Sequence, residues 1–299
     1  MEIKHFDQDS SIFEAMIGVS GIDRTIRILQ ISDSHLCELN DDDRHLLQSV
    51  IDPDKYVDNA RHRHAIRLFT KVMEKMESMN VDAVVLTGDI LTFPSAANLA
   101  VLKEHLAKLS VPWLYTLGNH DWHFIMLEEW NDDVRKRAYP KFHALTGGNP
   151  AFGKLELGGV LLVCIDNSNY QITEEQLAFF QSCLQSGRPC VLFVHIPLYI
   201  PSLAGDVLHR WGAPIMMHAD GWTPEQRKLW KTRKEERATQ EFYELIVRGN
   251  SESLIGIFCG HVHFHHKDAY RPGRYQYVAH PGYDGGYRLI SLLPLKSGH

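Results

Sequence analysis

The sequence predicts an α/β fold, and three observations carry that prediction. Apolar runs of strand length occur at 24–31, 81–86 and 111–117. The stretches between them, 55–80 and 95–109, read as helices. Strand and helix therefore alternate, which is the order of parallel strands joined by crossover helices. Each apolar run also stops in polar residues, and in such sheets binding groups gather beyond the carboxyl ends of the strands.

Residues 1–23 show no regular pattern and are expected to be an irregular segment against the edge of the body, with 24–299 as one domain. The run 24–31 alternates and then turns apolar, as a first core strand does, and leads into Ser32-Asp33-Ser34-His35. Asp33 and His35 are two apart, so on extended backbone they point to the same side. Residues 36–54, with Asp41-Asp42-Asp43, read as a solvated insert at the rim. Ala65, Ile66, Phe69, Val72, Met73 and Met76 then recur at helical spacing, with His62 and His64 on the polar side.

The run 81–86 is a second buried strand, ending at Thr87-Gly88-Asp89, where glycine lets backbone approach a ligand. The third, 111–117, ends at Gly118-Asn119-His120-Asp121. Asn and His are poor in a strand interior, but a turn there holds a carboxamide oxygen and an imidazole towards a pocket. Residues 124–142 read as a helix, acidic early and basic late. Runs 151–157 and 160–165 form a hairpin across Gly158-Gly159, and the Asp166-Asn167 that follows reads as an ordinary turn. Thr173 with Gln176 is a capping-box pattern opening a helix to 185.

Run 189–194 is a buried strand that stops at His195. Residues from 198 to about 223 look like an irregular insert of lid length, holding Trp211 and His218. Thr223 and Pro224 open a long charged helix to 248. A last buried run, 254–259, ends in Gly260-His261-Val262-His263; His265 and His266 read as rim or surface. Runs 275–278 and 287–293 close the set.

Composition narrows the function classes. Of 299 residues, 44% are hydrophobic and 23% charged, ordinary for a globular protein with a large core. A formal net charge of -6 offers no broad basic face for nucleic acid or anionic lipid. The opening twenty residues have no leader-like apolar core, and no run is long enough to span a bilayer. Five scattered cysteines without paired spacing fit a reducing compartment, so the expected location is cytoplasmic.

The polar strand ends are Asp33/His35, Asp89, Asn119/His120, His195 and His261/His263. Taken singly, each also reads as a polar turn or a structural histidine. Together they are oxygen and imidazole donors without thiolate, suited to manganese, iron or zinc. They are too many for one ion and enough for two if a carboxylate bridges. Two cations roughly 3.5–4 Å apart clamp an in-line displacement at phosphorus.

In their order and at their strand ends, Asp33-x-His35, Gly88-Asp89, Gly118-Asn119-His120-Asp121, His195 and Gly260-His261-x-His263 resemble the five motifs of the calcineurin-like metallophosphoesterases. The resemblance implies two mixed β-sheets packed face to face with helices on the outer faces. It implies one metal on Asp33, His35 and His263, a second on Asn119, His195 and His261, and Asp89 bridging. His120 would donate a proton to the leaving oxygen or hold the phosphate, and Asp121 would orient His120 by a hydrogen bond. The implied activity is metal-dependent hydrolysis of a small phosphodiester or phosphomonoester, such as a cyclic nucleotide, by a metal-bound hydroxide. A nuclease of the same superfamily, or a non-catalytic binding protein that kept the fold, are the alternatives.

Overall fold

The structure, a computed structural model, describes residues 1–6, 13–124, 127–128, 130–249 and 251–295. Its strands are β1 (Ile3–Phe6), β2 (Glu14–Val19), β3 (Ile26–Ile31), β4 (Ala83–Thr87), β5 (Trp113–Thr116), β6 (Phe152–Leu157), β7 (Val160–Ile165), β8 (Cys190–Phe193), β9 (Leu254–Cys259), β10 (His266–Arg271), β11 (Arg274–Val278) and β12 (Arg288–Pro294). They form two six-stranded mixed sheets, ordered β1-β2-β12-β3-β4-β5 and β10-β11-β9-β8-β7-β6. The helices are α1 (Asp41–Leu47), α2 (Pro53–Val57), α3 (Ala65–Met79), α4 (Ala96–Ala107), α5 (Asp132–Ala138), α6 (His143–Thr146), α7 (Glu174–Gln185), α8 (Pro201–Trp211), α9 (Pro224–Leu229) and α10 (Arg237–Val247).

Strand alternation explains the layers. Ile26, Ile28, Ala83 and Val85 of the first sheet share one core with Val160, Leu162, Val191 and Phe193 of the second. The residues between them face outwards: Leu29, Ile31, Val84 and Leu86 pack on α3 and α4 through Phe69, Val72 and Leu102. Leu161, Val163 and Leu192 pack on α7, α8 and α10 through Phe180, Leu203 and Phe242. Both faces of β4, β7 and β8 are buried, which is why they read as apolar runs, whereas β3 keeps Arg27 exposed. A register shift opposite Cys190 and Val191 adds a residue to β9. Ile255 and Phe258, three apart, consequently share the inner face.

Several sequence expectations are corrected. The opening segment is not irregular: β2 pairs parallel with β12 inside the first sheet, and Ile17 and Val19 are buried. The run of aspartates at 41–43 is the first turn of α1, capped by Asn40. Carboxylates there complement the amide ends of a helix, so the residues that looked like a solvated loop favour a start. The insert after 198 contains α8, with Pro201 in its first turn and Gly212 closing it. The helix expected over 55–80 begins only at Ala65, and α2 precedes it. The long helix expected over 223–248 is broken into α9 and α10, with Lys231 at φ 52 between them. Of the helix expected over 124–142, residues 125, 126 and 129 lie outside the described residues, and α5 starts at Asp132 under an Asn131 cap. No described helix is long and apolar enough to cross a membrane.

Candidate metal centre

The strand pairing of β3 and β4 continues past their ends. Asp33 N–H donates to the Gly88 carbonyl (2.9 Å), His35 N–H to that of Asp89 (3.0 Å) and Leu36 N–H to that of Ile90 (2.7 Å). These bonds hold the Asp33/His35 loop against the Asp89 loop. Beyond β9, Gly260 N–H donates to the His195 carbonyl (2.9 Å), joining the other two loops. Asp33 then links the sheets: its carboxylate accepts from His261 N–H at 3.0 and 3.1 Å. Glycine is required at Gly118 and Gly260. A methyl on Gly118 would collide with the Asp89 backbone, and one on Gly260 with Ser32 and the Asp33 carboxylate.

Asp33 and His35 do share a site, but not through strand alternation. Asp33, His35, Asp89, His261 and His263 have φ between 47° and 72°, the left-handed region that non-glycine residues seldom adopt. Single reversals of backbone direction aim these side chains, and five in one cleft mark a strained, functional place.

The donors gather in two sets. Asp33, His35, Asp89 and His263 offer atoms all within 4.8 Å of one another, as do Asp89, His195 and His261. Asp89 belongs to both. Its Oδ2 lies 3.2 Å from His195 Nε2 and 4.0 Å from His35 Nε2. Asp33 Oδ1 is 3.2 Å from His263 Nε2. Ring nitrogens also meet in pairs, His35 Nε2 with His263 Nε2 at 3.3 Å and His261 Nδ1 with His195 Nε2 at 3.2 Å. His195 Nδ1 donates to the Thr87 carbonyl (2.9 Å), which turns Nε2 towards the cluster. Asn119 is buried with its Oδ1 unpartnered. Converging lone pairs, two carboxylates and an orphaned carboxamide oxygen fit a pair of cations, whose donor set would contain no thiolate.

The electrostatics agree. Burial works against charge on Asp33, yet the His263 hydrogen bond and neighbouring imidazoles hold its pKa below the ordinary carboxylate value. Burial likewise opposes charge on Asp89, and His195 and His120 hold it well below. Burial, helped by His195, pushes His261 down to about 3, and burial with His120 drives His35 down as well. His195 goes the other way: burial opposes its proton, but the Asp89 carboxylate pushes it up to about 9. The cleft thus holds two charged carboxylates among imidazoles that are mostly neutral donors.

The Asp121 expectation is corrected. Its carboxylate accepts three backbone N–H groups, from Asp89 (2.9 Å), Leu91 (2.8 Å) and Gly118 (2.7 Å), and does not reach the His120 ring. Burial and the nearby Asp89 charge push Asp121 up to about 7. His120 is held instead by its Nδ1, 3.2 Å from the Thr92 carbonyl, and by its backbone N–H on Asp89 Oδ1 (2.8 Å).

The calcineurin-like phosphoesterase family matches residues 26–265. The chain belongs to that family. Among solved structures, a dimetal phosphatase from Danio rerio is similar over 87% of this chain and 88% of that one, at 12% identity and a TM-score of 0.54. A phosphopantetheinyl hydrolase from Mycobacterium tuberculosis aligns with 94% of this chain and 100% of its own, at 12% identity and a TM-score of 0.44. At 12% identity the likeness to the dimetal phosphatase bears on the fold alone. No curated protein matches the sequence.

Residues that motif reading passed over also pack around the two clusters. Asn167, read as part of a turn, is fully buried and accepts from His195 N–H (3.1 Å) and Ile196 N–H (3.0 Å) while donating to the Ile196 carbonyl (2.7 Å). Tyr170 places its hydroxyl 2.9 Å from His261 Nε2. His62, expected on the surface, is buried, its ring centroid 6.5 Å from that of His35. Arg61 lies over the Tyr283 ring at 5.4 Å, and Tyr283 packs against His35 and His263. Its positive charge lowers the pKa of both His35 and His120. Among the described residues its guanidinium has no carboxylate partner. A positive residue just before an amphipathic helix was the only signal, and it is a weak one.

Proposed function

We propose that this chain is a two-metal hydrolase of small phosphate esters. The carrying observation is that two buried donor clusters share one carboxylate, Asp89. Asp33, His35 and His263 would hold one cation and Asn119, His195 and His261 the other, with Asp89, common to both clusters, available to each. Manganese, iron or zinc suits such donors. When bound, a pair of these ions screens phosphate charge and lowers the pKa of water from 15.7 towards about 7.

The protein's own groups do the rest. The Thr92 carbonyl fixes the proton of His120 on Nδ1, so Nε2 is free to meet the ester. Burial lowers the His120 pKa. An anionic phosphate beside it acts in the opposite sense and favours the imidazolium, which then protonates the departing oxygen. Arg61, with five donors and no carboxylate to satisfy them, binds non-bridging phosphate oxygens. Asp121 positions the loops rather than the imidazole.

The test is metal removal. Exhaustive chelation is expected to abolish hydrolysis of a generic aryl phosphate ester, and manganese to restore it. Undiminished turnover in metal-free protein would overturn the proposal.

A further inference from the structure

A cavity of about 170 Å³ opens beside the second cluster, and Asn119, His120 and His261 form its inner wall. Its outer wall is Trp130, Tyr170 and Trp230, with Leu229 at the lip, 76% exposed. We propose that this cavity is a subsite for a planar aromatic group, an aryl ring or a nucleobase, carried on the phosphorus of the substrate. The proposal deepens the two-metal reading and rests on it for which end of the substrate enters.

Position comes first. The cavity starts at the residues that face the reacting phosphate, so whatever fills it is attached directly to that phosphate. Size comes second. Pockets for drug-sized ligands run from about 300 to 1,000 Å³, whereas a cavity of about 150 Å³ holds a benzene. One ring system fills that volume.

Chemistry comes third. Trp130 and Trp230 are half-buried, and each is braced edge-on by a protein neighbour, Trp122 at 67° and Trp211 at 85°. Trp130 also meets the His123 ring at 70°; rings held in this way are ordered before a ligand arrives, and offset or edge-on contact is the favoured geometry for an aromatic group beside them. Charge is sparse: Lys231 stands at the rim, and burial pushes the pKa of His123 down, keeping that ring neutral. The wall therefore suits an uncharged ring with a polar edge.

The local fold supports this use. Trp230 follows α9, and the left-handed Lys231 turns the chain back immediately after it. Trp211, its brace, closes α8 and donates its Nε1–H to the Val262 carbonyl (2.8 Å), between His261 and His263. The region read from sequence as a lid-like insert thus presents its aromatic residue to the metal clusters.

The test uses two non-hydrolysable probes of equal charge and similar bulk, benzylphosphonate and cyclohexylmethylphosphonate, titrated calorimetrically into manganese-loaded protein. Stacking predicts that the benzyl probe binds about tenfold tighter or more. Trp230→Ala is expected to bring that ratio close to one, while Trp230→Phe, which keeps a ring, retains most of it. Equal affinities in the unmodified protein, no binding of either probe, or a ratio indifferent to Trp230→Ala would each overturn the subsite. Failure of the two-metal reading shows separately, as hydrolysis that survives chelation.

Discussion

Replacing Asn167 by alanine separates a turn from a support of the metal centre. The side chain is fully buried and makes three hydrogen bonds to the backbone of His195 and Ile196, two accepted and one donated. Alanine strands two N–H groups and one carbonyl in the interior and leaves a small void. Each buried orphan costs about 1–3 kcal/mol. Water entering the void recovers part of that, so a loss near 4 kcal/mol is expected. The effect is local to His195, which belongs to the second cluster only. Supports of metal-binding histidines typically carry 10–100-fold in metal affinity. The assay is denaturant unfolding of chelated protein, together with metal titration monitored by elemental analysis. Asn167→Ala should lose one ion far more readily than the other. Asn167→Asp keeps both acceptors but sets an oxygen against the Ile196 carbonyl, and should fall between. A loss below about 1 kcal/mol with two ions equally retained would refute the reasoning and return Asn167 to an ordinary turn.

Other outcomes follow from the same geometry. His120→Ala keeps the backbone bond to Asp89, so it should retain both metals while turnover falls about 10²–10⁴-fold; loss of metal on elemental analysis would mean that His120 is a ligand. Arg61→Ala should raise KM for phosphate esters about tenfold or more, with partial recovery in Arg61→Lys; unchanged steady-state kinetics would remove Arg61 from the site. Burial holds His62 down at about 4, below its ordinary 6.5. Its unfolded form therefore takes up a proton first as pH falls. The stability it contributes is full above about 6.5 and is lost on descending towards 4, by on the order of 3 kcal/mol. His62→Gln should flatten the pH dependence of unfolding in that window by one proton, and an unaltered slope would exclude the effect.

What was legible in the sequence is what depends on burial alone. The runs that became β3, β4, β7, β8 and β9 are mostly apolar because their faces are largely covered, Arg27 and Gln30 of β3 being exceptions, and most of their polar neighbours fall at the strand ends. That rule located Asp33, His35, Asp89, Asn119, His195, His261 and His263 without any knowledge of their contacts. It could not reveal β2, which enters the sheet beside β12 across more than 270 residues of chain. Asn167, just past the end of β7, obeyed the rule but a polar pair there reads equally as a turn, while Tyr170 and Arg61 lie outside the rule because their contacts are with residues distant in sequence. The inference that Asp33 and His35 align by strand alternation reached the right neighbours through the wrong geometry. At φ 51° and 47° neither is extended. A left-handed L-residue costs on the order of 1–2 kcal/mol, so five of them in one cleft could not persist on their own account. They persist because the loops are bonded to each other: Asp33 and His35 to Gly88 and Asp89, Gly260 to His195, and Gly282 and Tyr283 to Ser32 and Asp33. Backbone pairing across two sheets therefore sets the donor positions, and a substitution that breaks that pairing should damage the centre as surely as one that removes a ligand.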